Sequence, residues 1–187
     1  ALTNQAGGTV LSGGTYDQRG IVGKFDNSGL IDVDTNIVVT GDLTNAGSID
    51  IAASRTLTLG ATSNFVNTGV VKGTGTLNVT SATSVSQTGD ITPGDVGSAG
   101  TLTVTSDLAS TASSTLSIDV VSLASNDTLN VTGNFAIGGV LNLNFLPGHG
   151  ITSGQQFTIL DYGTKTGTAF TTVNHNLGSG YAIGVDY

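Results

Sequence analysis

The chain of 187 residues is rich in glycine (28 residues) and acidic, with 13 aspartates, no glutamate and a formal net charge of −8. Because Thr, Ser, Asn and Gly take the place of the helix formers Glu, Lys and Arg, this composition excludes an all-helical protein. Hydrophobic residues make up 37% of the chain in short β-branched runs and only 10% are charged, which indicates a folded all-β protein rather than a disordered one.

The five cationic residues are scattered along the chain: Arg19, Lys24, Arg55, Lys72 and Lys165. Nucleic acids and anionic lipids are bound by clustered cations, so we expect neither as a partner. No apolar run approaches the ~20 residues of a spanning helix, so we expect no membrane insertion. The absence of cysteine fits a bacterial protein that crosses a periplasm, and the whole composition predicts an extracellular or bacterial cell-surface location.

From the N-terminus, an Asn-x-Gly-x-hydrophobic pattern recurs at residues 27–31, 45–49 and 67–71, with a degenerate copy at residues 87–91. Asn and Gly both tolerate positive φ, so we interpret each copy as a sharp turn that precedes a strand. A spacing of ~20 residues suits one coil of a right-handed parallel β-helix. The sequence therefore predicts a solenoid of roughly eight or nine coils.

Between these turns, apolar and polar residues alternate, beginning with Thr-Leu-Thr-Leu at residues 56–59. This period of two predicts that the following side chains share one buried face, with Thr, Ser and Asn toward water: Leu57, Leu59, Leu77, Val79, Leu102 and Val104. A β-sandwich of hairpins shows the same alternation and remains the alternative fold.

Toward the C-terminus the pattern becomes irregular. A turn-rich stretch at residues 146–154 precedes a predicted strand at residues 156–161, and aromatic residues concentrate after it. We interpret residues 1–187 as a single β-helical domain, with a coil stack over residues 1–145 and irregular last coils with a cap over residues 146–187.

Residues 91–143 resemble the secreted β-helical passenger domains of bacterial autotransporters and related large adhesins. The resemblance lies in Thr-Pro-Gly at 92–94, Gly-Thr-Leu-Thr-Val at 100–104, Asn-Asp-Thr-Leu-Asn-Val-Thr-Gly at 126–133 and Gly-Gly-Val-Leu-Asn-Leu at 138–143. The tail, with Tyr-Ala-Ile-Gly-Val-Asp-Tyr at 181–187, is also similar to the end of such passengers. The resemblance implies secretion or surface display, adhesion, and aggregation between cells.

The leading functional hypothesis is therefore a non-enzymatic extracellular structural or adhesive protein that attaches cells to surfaces or to one another. The terminal coils of a solenoid leave backbone groups unpaired, so copies of the chain could join end to end into a fibre. Cell-surface glycans or proteins are the other expected partners. The residues expected at such junctions are Leu2, Val10, Leu11, Phe170, Tyr181 and Tyr187.

An alternative hypothesis is a carbohydrate-binding or carbohydrate-cleaving β-helix, such as a polysaccharide lyase or glycosidase. Asp32 and Asp34 share one side of a predicted strand, Asp50 follows one coil later, and convergent carboxylates of this kind serve acid–base chemistry. Lys24 or Arg55 would be the basic residue near these carboxylates. Charges that keep a solvated strand edge from aggregating explain the same pattern without an enzyme.

A metal or cofactor has little support in the sequence. Asp32 with Asp34, or Asp90 with Asp95, could offer oxygens to calcium, but the nonapeptide motif of calcium β-rolls is absent. The histidines, His149 and His175, fall in Gly- and Asn-rich stretches and are predicted to be exposed loop residues. We therefore expect no cofactor and no catalytic residue.

Overall fold

The structure, a computed structural model of the chain, describes residues 1–14 and 17–187. The described residues contain 22 β-strands and no helix, and hence none that could cross a membrane. The first eleven strands are β1 (Leu2–Asn4), β2 (Thr9–Leu11), β3 (Gln18–Val22), β4 (Phe25–Asn27), β5 (Leu30–Val33), β6 (Asn36–Thr40), β7 (Leu43–Asn45), β8 (Ser48–Ile51), β9 (Thr56–Leu59), β10 (Asn64–Asn67) and β11 (Val70–Gly73). The remaining strands are β12 (Thr76–Asn78), β13 (Ser84–Gln87), β14 (Asp90–Pro93), β15 (Thr101–Thr105), β16 (Leu108–Ala109), β17 (Thr115–Ser122), β18 (Ser125–Asn126), β19 (Thr128–Ala136), β20 (Val140–Phe145), β21 (Leu160–Thr166) and β22 (Thr172–His175).

The strands form three sheets of a parallel β-solenoid with about six turns. The first sheet runs in the order β1-β4-β7-β10-β13, and the second in the order β2-β5-β8-β11-β14-β17-β20-β22. The third sheet contains β3, β6, β9, β12, β15 and β19, with β16 and β21 beside β19. All pairs are parallel except the short hairpin of β17 with β18. The predicted parallel β-helix is confirmed, and a β-sandwich of hairpins is excluded.

The interior is filled by one inward-facing residue in every two along each strand. Phe25, Leu43 and Phe65 stack in consecutive coils of the first sheet and are fully buried. The six aliphatic residues predicted to share a buried face are each at most 2% exposed, which confirms the period-two assignment. The alternating Thr, Ser and Asn side chains lie on the outer faces.

The predicted number of eight or nine coils is wrong, because coils after Gln87 are longer than the repeat indicated. Phe25 pairs with Leu43, 18 residues later, whereas Thr115 pairs with Val140 at a distance of 25 residues and Val140 with Thr172 at 32. The additional residues leave the strands as loops between sheets. The same 187 residues therefore complete about six turns.

The Asn-x-Gly repeat does bend the chain before a strand, as predicted, because residues 28–29, 46–47 and 68–69 are bends that precede β5, β8 and β11. The sequence did not predict that its amide residues, at the ends of β1, β4, β7, β10 and β13, face inward as a ladder in which each coil donates to the next. Nδ2 of Asn27 donates to Oδ1 of Asn45 (2.7 Å), and Nδ2 of Asn45 donates to Oδ1 of Asn67 (2.7 Å). The amide ladder, as we name this row, consists of Asn4, Asn27, Asn45, Asn67 and Gln87.

The repeated glycines of this motif lack positive φ, so backbone conformation does not require them. They lie where successive coils approach most closely: a Cβ on Gly47 would overlap the carbonyl oxygen of Gly29, and one on Gly69 would overlap that of Gly47. Glycine is needed here because another coil's backbone occupies the space of a side chain.

The two ends of the stack differ. At the C-terminal end, β21 and β22 pair with β19 and β20, and Ile183 and Val185 pack partly against the core beyond them. The predicted strand at residues 156–161 is instead an extended segment that becomes β21 only at Leu160. At the N-terminal end, the outer edges of β1, β2 and β3 pair with no strand of the described residues.

Candidate functional site

An acidic groove lies on the outer face of the second sheet, where neighbouring coils bring charged side chains into register. Asp32 of β5 is paired with Asp50 of β8, and Asp50 is paired with Lys72 of β11. Asp34, immediately after β5, and Asp95, between β14 and β15, line the same groove as Asp32 and Asp50. We define the acidic groove by these four aspartates, with Lys72 beside Asp50; the groove volume is about 280 Å³.

The structure brings together the three carboxylates that the sequence predicted as a set, Asp32, Asp34 and Asp50. The cation beside them is Lys72, whose Nζ lies 2.6 Å from Oδ2 of Asp50, and not Lys24 or Arg55. Lys24 instead pairs with Asp26 at 2.9 Å on the first sheet.

A signal for Lys72 was present in the sequence. Asp32, Asp50 and Lys72 each follow their ladder residue by five positions, so aligning the repeat copies places the three in one row. A search for the nearest cation along the chain cannot find this relation, because the row runs across coils.

One carboxyl group of the groove has a raised pKa. Partial burial raises the pKa of Asp32 above its usual range, and the charges of Asp34 and Asp50 raise it further, against the opposing effect of Lys72. A carboxyl group whose pKa is raised beside other carboxyl groups is a starting point for general acid–base chemistry. The same arrangement also serves as a solvated charge pattern on a strand face.

The structure separates the second predicted carboxylate pair. Asp90 accepts hydrogen bonds from the hydroxyls of Ser117 (3.1 Å) and Thr92 (3.3 Å), and burial raises its pKa. Asp95 lies instead at the acidic groove. Within residues 1–14 and 17–187, no group of three or more acidic or histidine side chains is arranged to hold a metal ion.

Asp127 is a buried carboxylate that the sequence did not predict. It anchors the loop beside the groove through hydrogen bonds. Its Oδ1 accepts from the backbone N–H of Gly100 (2.9 Å) and its Oδ2 from that of Asp119 (2.8 Å), and the residue is 1% exposed. Burial raises the pKa of Asp127 to about 6, with smaller increases from Asp119 and Asp95 and an opposing effect of the two hydrogen bonds. Asp119 in turn accepts from the N–H of Gly97 at 2.8 Å. No motif in the sequence distinguishes Asp127 from an ordinary turn residue.

The predicted junction residues occupy both ends of the stack but in different environments. Leu2 and Leu11 in the first coil are 44% and 60% exposed, and Val10 is half-buried. At the other end, Tyr181 is exposed, whereas Phe170 is buried with its ring centroid 6.1 Å from that of Tyr187. Sequence reasoning missed Val22, which is 90% exposed at the end of β3.

The two histidines differ from their prediction as exposed loop residues. His175 lies in β22 in register with the buried Leu143 of β20, and its Nδ1 is buried without a hydrogen-bond partner among the described residues. His149 does lie in a loop, but its ring packs edge-on against Phe145 with centroids 5.4 Å apart. Nδ1 of His149 also accepts from the N–H of Ile151 at 3.0 Å. Both rings therefore contribute to packing near the C-terminal end.

Comparison with known protein families, with curated proteins and with solved structures finds no match to this chain. The sequence and fold therefore establish a parallel β-solenoid and leave its family open.

Proposed function

We propose that this chain is a non-enzymatic structural or adhesive protein of the bacterial cell exterior, which attaches cells to surfaces or to one another. The observation that supports the proposal best is the exposure of two apolar side chains on the first coil, Leu11 (60%) and Val22 (90%). The resemblance of residues 91–143 to autotransporter passengers supports the same function.

The first coil has the properties of an attachment surface. Leu11 and Val22 stand outward on this coil, where the following coil carries the polar residues Asp32 and Thr40. Exposed large apolar residues on an otherwise polar surface are typical of interaction sites.

The opposite end is a weaker candidate for attachment, because the tail lies over it. Tyr187 accepts a hydrogen bond from the N–H of Phe170 (2.9 Å), and its ring lies 5.2 Å from Nζ of Lys165. Between the tail and the last coil remains a cavity of about 500 Å³, lined in part by Phe157, Tyr162 and Ile183. The exposed apolar residues of the first coil are therefore the better candidates for contact with a partner, and fibres of repeated copies are one form that attachment can take.

Adhesion of protein-coated beads to one another and to bacterial cells tests the proposal. Wild-type protein should cause both bead–bead and bead–cell adhesion, and the double variant Leu11→Thr with Val22→Thr should lose most of this activity, because hydroxyls replace the apolar contacts. Val96→Thr is the matched control, since Val96 is also exposed (92%) but belongs to the segment between β14 and β15 and not to the first coil. Negative-stain electron microscopy of the same samples shows whether copies join end to end. Beads that bind neither each other nor cells would overturn the proposal.

A second candidate function, carbohydrate binding or cleavage, is favoured by one specific observation. Asp32 and Asp50 lie side by side on adjacent coils, and Lys72 lies beside Asp50 on the next coil. Glycan-active sites use convergent carboxylates with a nearby cation in this way. The raised pKa of Asp32 would suit it to donate a proton to a leaving oxygen.

Two assays test this second function. One measures binding to a panel of acidic and neutral polysaccharides, and the other measures the reducing ends released from them by cleavage. Asp32→Asn and Asp50→Asn should abolish turnover while the far-UV circular dichroism spectrum stays unchanged. Asp161→Asn, at an exposed carboxylate of β21, is the control and should retain activity. If wild-type protein neither binds nor cleaves any of these glycans, the groove is a solvated surface.

A further inference from the structure

The groove loop, as we name residues 94–100 between β14 and β15, carries one wall of the acidic groove. Asp95 of this loop lines the groove together with three aspartates of earlier coils. Residues 95–98 are exposed at the surface and belong to no strand. The position of Asp95 at the groove therefore depends on the contacts that hold the loop to the rest of the stack.

Two carboxylates hold the groove loop through its backbone. Oδ1 of Asp127 accepts from the N–H of Gly100 at 2.9 Å, and Oδ2 of Asp119 accepts from the N–H of Gly97 at 2.8 Å. The loop backbone also covers Asp127, because a Cβ on Gly94 would overlap Oδ1 of this carboxylate, and Asp127 is 1% exposed. Opening of the loop would therefore break these two hydrogen bonds and admit water to Asp127.

The carboxyl group of Asp127 lies among like charges. The charged side chains that act on it are Asp119 of β17 and Asp95 of the groove loop, and no cation of the described residues offsets them. From β18, Asn126 is uncharged and donates to the backbone carbonyl oxygen of Asp127 at 2.7 Å. Burial raises the pKa of Asp127 to about 6 against the opposing effect of its hydrogen bonds, and the two like charges add to the increase. The ionised form is therefore unfavourable while the loop is closed.

We infer that the groove loop is a pH-dependent lid, which is closed over Asp127 in acid and opens more readily as the pH rises toward neutrality. In an open loop, water reaches the carboxyl group and its pKa returns toward 3.8, so the closed loop binds the proton more tightly. Protonation therefore favours the closed loop, and this advantage is lost as the pH rises through about 6. Because Asp95 belongs to the loop, opening removes one of the four aspartates from the acidic groove.

Amide hydrogen exchange of the 187-residue chain, followed by NMR, tests the lid. The readout is the protection factor of the Gly100 N–H, in which the intrinsic pH dependence of exchange is divided out. Between about pH 4.5 and about pH 7 it should fall roughly tenfold or more in the wild type. In Asp127→Asn, whose side chain does not titrate, it should stay constant, and far-UV circular dichroism verifies that the variant is folded. The N–H of Leu77, buried in β12, reports unfolding of the whole stack.

The Gly100 N–H should exchange much faster than that of Leu77 at every pH, because the loop opens without unfolding of the coils. A second variant, Asp95→Asn, removes one like charge at an exposed side chain and should increase the protection of Gly100 at neutral pH. Four results would each overturn the inference: protection of Gly100 that does not fall with pH, an equal fall in Asp127→Asn, equal protection of Gly100 and Leu77, or no gain of protection in Asp95→Asn.

Discussion

The coils up to Gln87 and the coils after it solve the same stacking problem in different ways. In the first group the corner between the first and second sheets is held in each coil by an inward amide of the ladder, and successive coils touch through Gly29, Gly47 and Gly69. In the second group the coils are longer, and individual polar residues hold individual loops, as Asp127 does for Gly100. A repeated contact keeps coils short and uniform, whereas individual contacts permit loops of different length, one of which brings Asp95 to the acidic groove on the earlier coils.

The largest effect in this comparison is expected from Gly47→Ala. The added Cβ would overlap the carbonyl oxygen of Gly29, and two stacked backbones cannot both yield without loss of strand pairing. We expect a loss of about 4 kcal/mol in the free energy of unfolding, measured by urea denaturation. Gly20→Ala is the control, because a Cβ at Gly20 meets no atom within 4 Å. Equal stability of the two variants would show that coil contact does not explain the repeated glycine.

A somewhat smaller loss is expected from Asn45→Leu, which keeps the branched shape of the side chain and removes the amide. Asn45 donates to Asn67 and to the carbonyl oxygen of Val70, so the variant leaves two buried acceptors without this donor, and it also removes the hydrogen bond from Asn27. The expected cost is about 3 kcal/mol by denaturant titration. Asn174→Leu, which removes a single exposed hydrogen bond to Asn142, should cost far less. If the two variants have the same free energy of unfolding, the ladder contributes no more than an ordinary surface contact.

In the later coils, the corresponding test is the pH dependence contributed by Asp127. The pKa of this carboxyl group rises from 3.8 to about 6 on folding, so the folded state binds its proton more tightly than the unfolded state does. Its contribution to stability is therefore greatest at pH values below 3.8 and is lost as the pH rises through about 6.

Asp127→Asn removes this titration. From acid to neutral pH the wild type should lose on the order of 2 kcal/mol relative to the variant, as followed by thermal or urea unfolding at several pH values. Comparison with the variant cancels the contributions of Asp32 and Asp90, whose pKa values are also raised. A difference between wild type and variant that stays constant with pH would contradict the assignment.

The smallest expected effect concerns the acidic groove. Lys72→Met removes the cation beside Asp50 and leaves the neighbouring charges of Asp32 and Asp34 without compensation. We expect a loss of about 0.5 kcal/mol at low ionic strength and less at high salt, because the ion pair is partly exposed. Lys24→Met, at the more exposed pair with Asp26, should change stability less. A loss that is independent of salt would indicate packing of the lysine stem instead.

The sequence predicted most of the coil architecture because each of its signals is local. Alternation of Leu57 and Leu59 with threonine identifies a buried face from neighbouring residues alone, and the structure confirms it. The amide repeat likewise revealed the solenoid period and the bend before each strand, but not the inward position of its amides. From one coil, a buried asparagine and a turn asparagine look the same; only contact with Asn27 and Asn67 separates them.

The candidate site was predictable in part for the same reason. Asp32, Asp34 and Asp50 were found because they lie in consecutive copies, while Lys72 required the copies to be aligned. Asp127 could not be found, because its burial depends on the loop that ends at Gly100, 27 residues away in the chain.

By itself, therefore, the sequence determined the all-β class, the parallel solenoid, the inward faces of its strands and the acidic character of its surface, since composition and short-range period fix these properties. Only the tertiary structure decided the number of turns, the inward position of the amide ladder and the pairing of Asp50 with Lys72. Each of these depends on which residue of one coil lies above which residue of the next. That register is set by loop lengths and close backbone contacts summed over the whole stack.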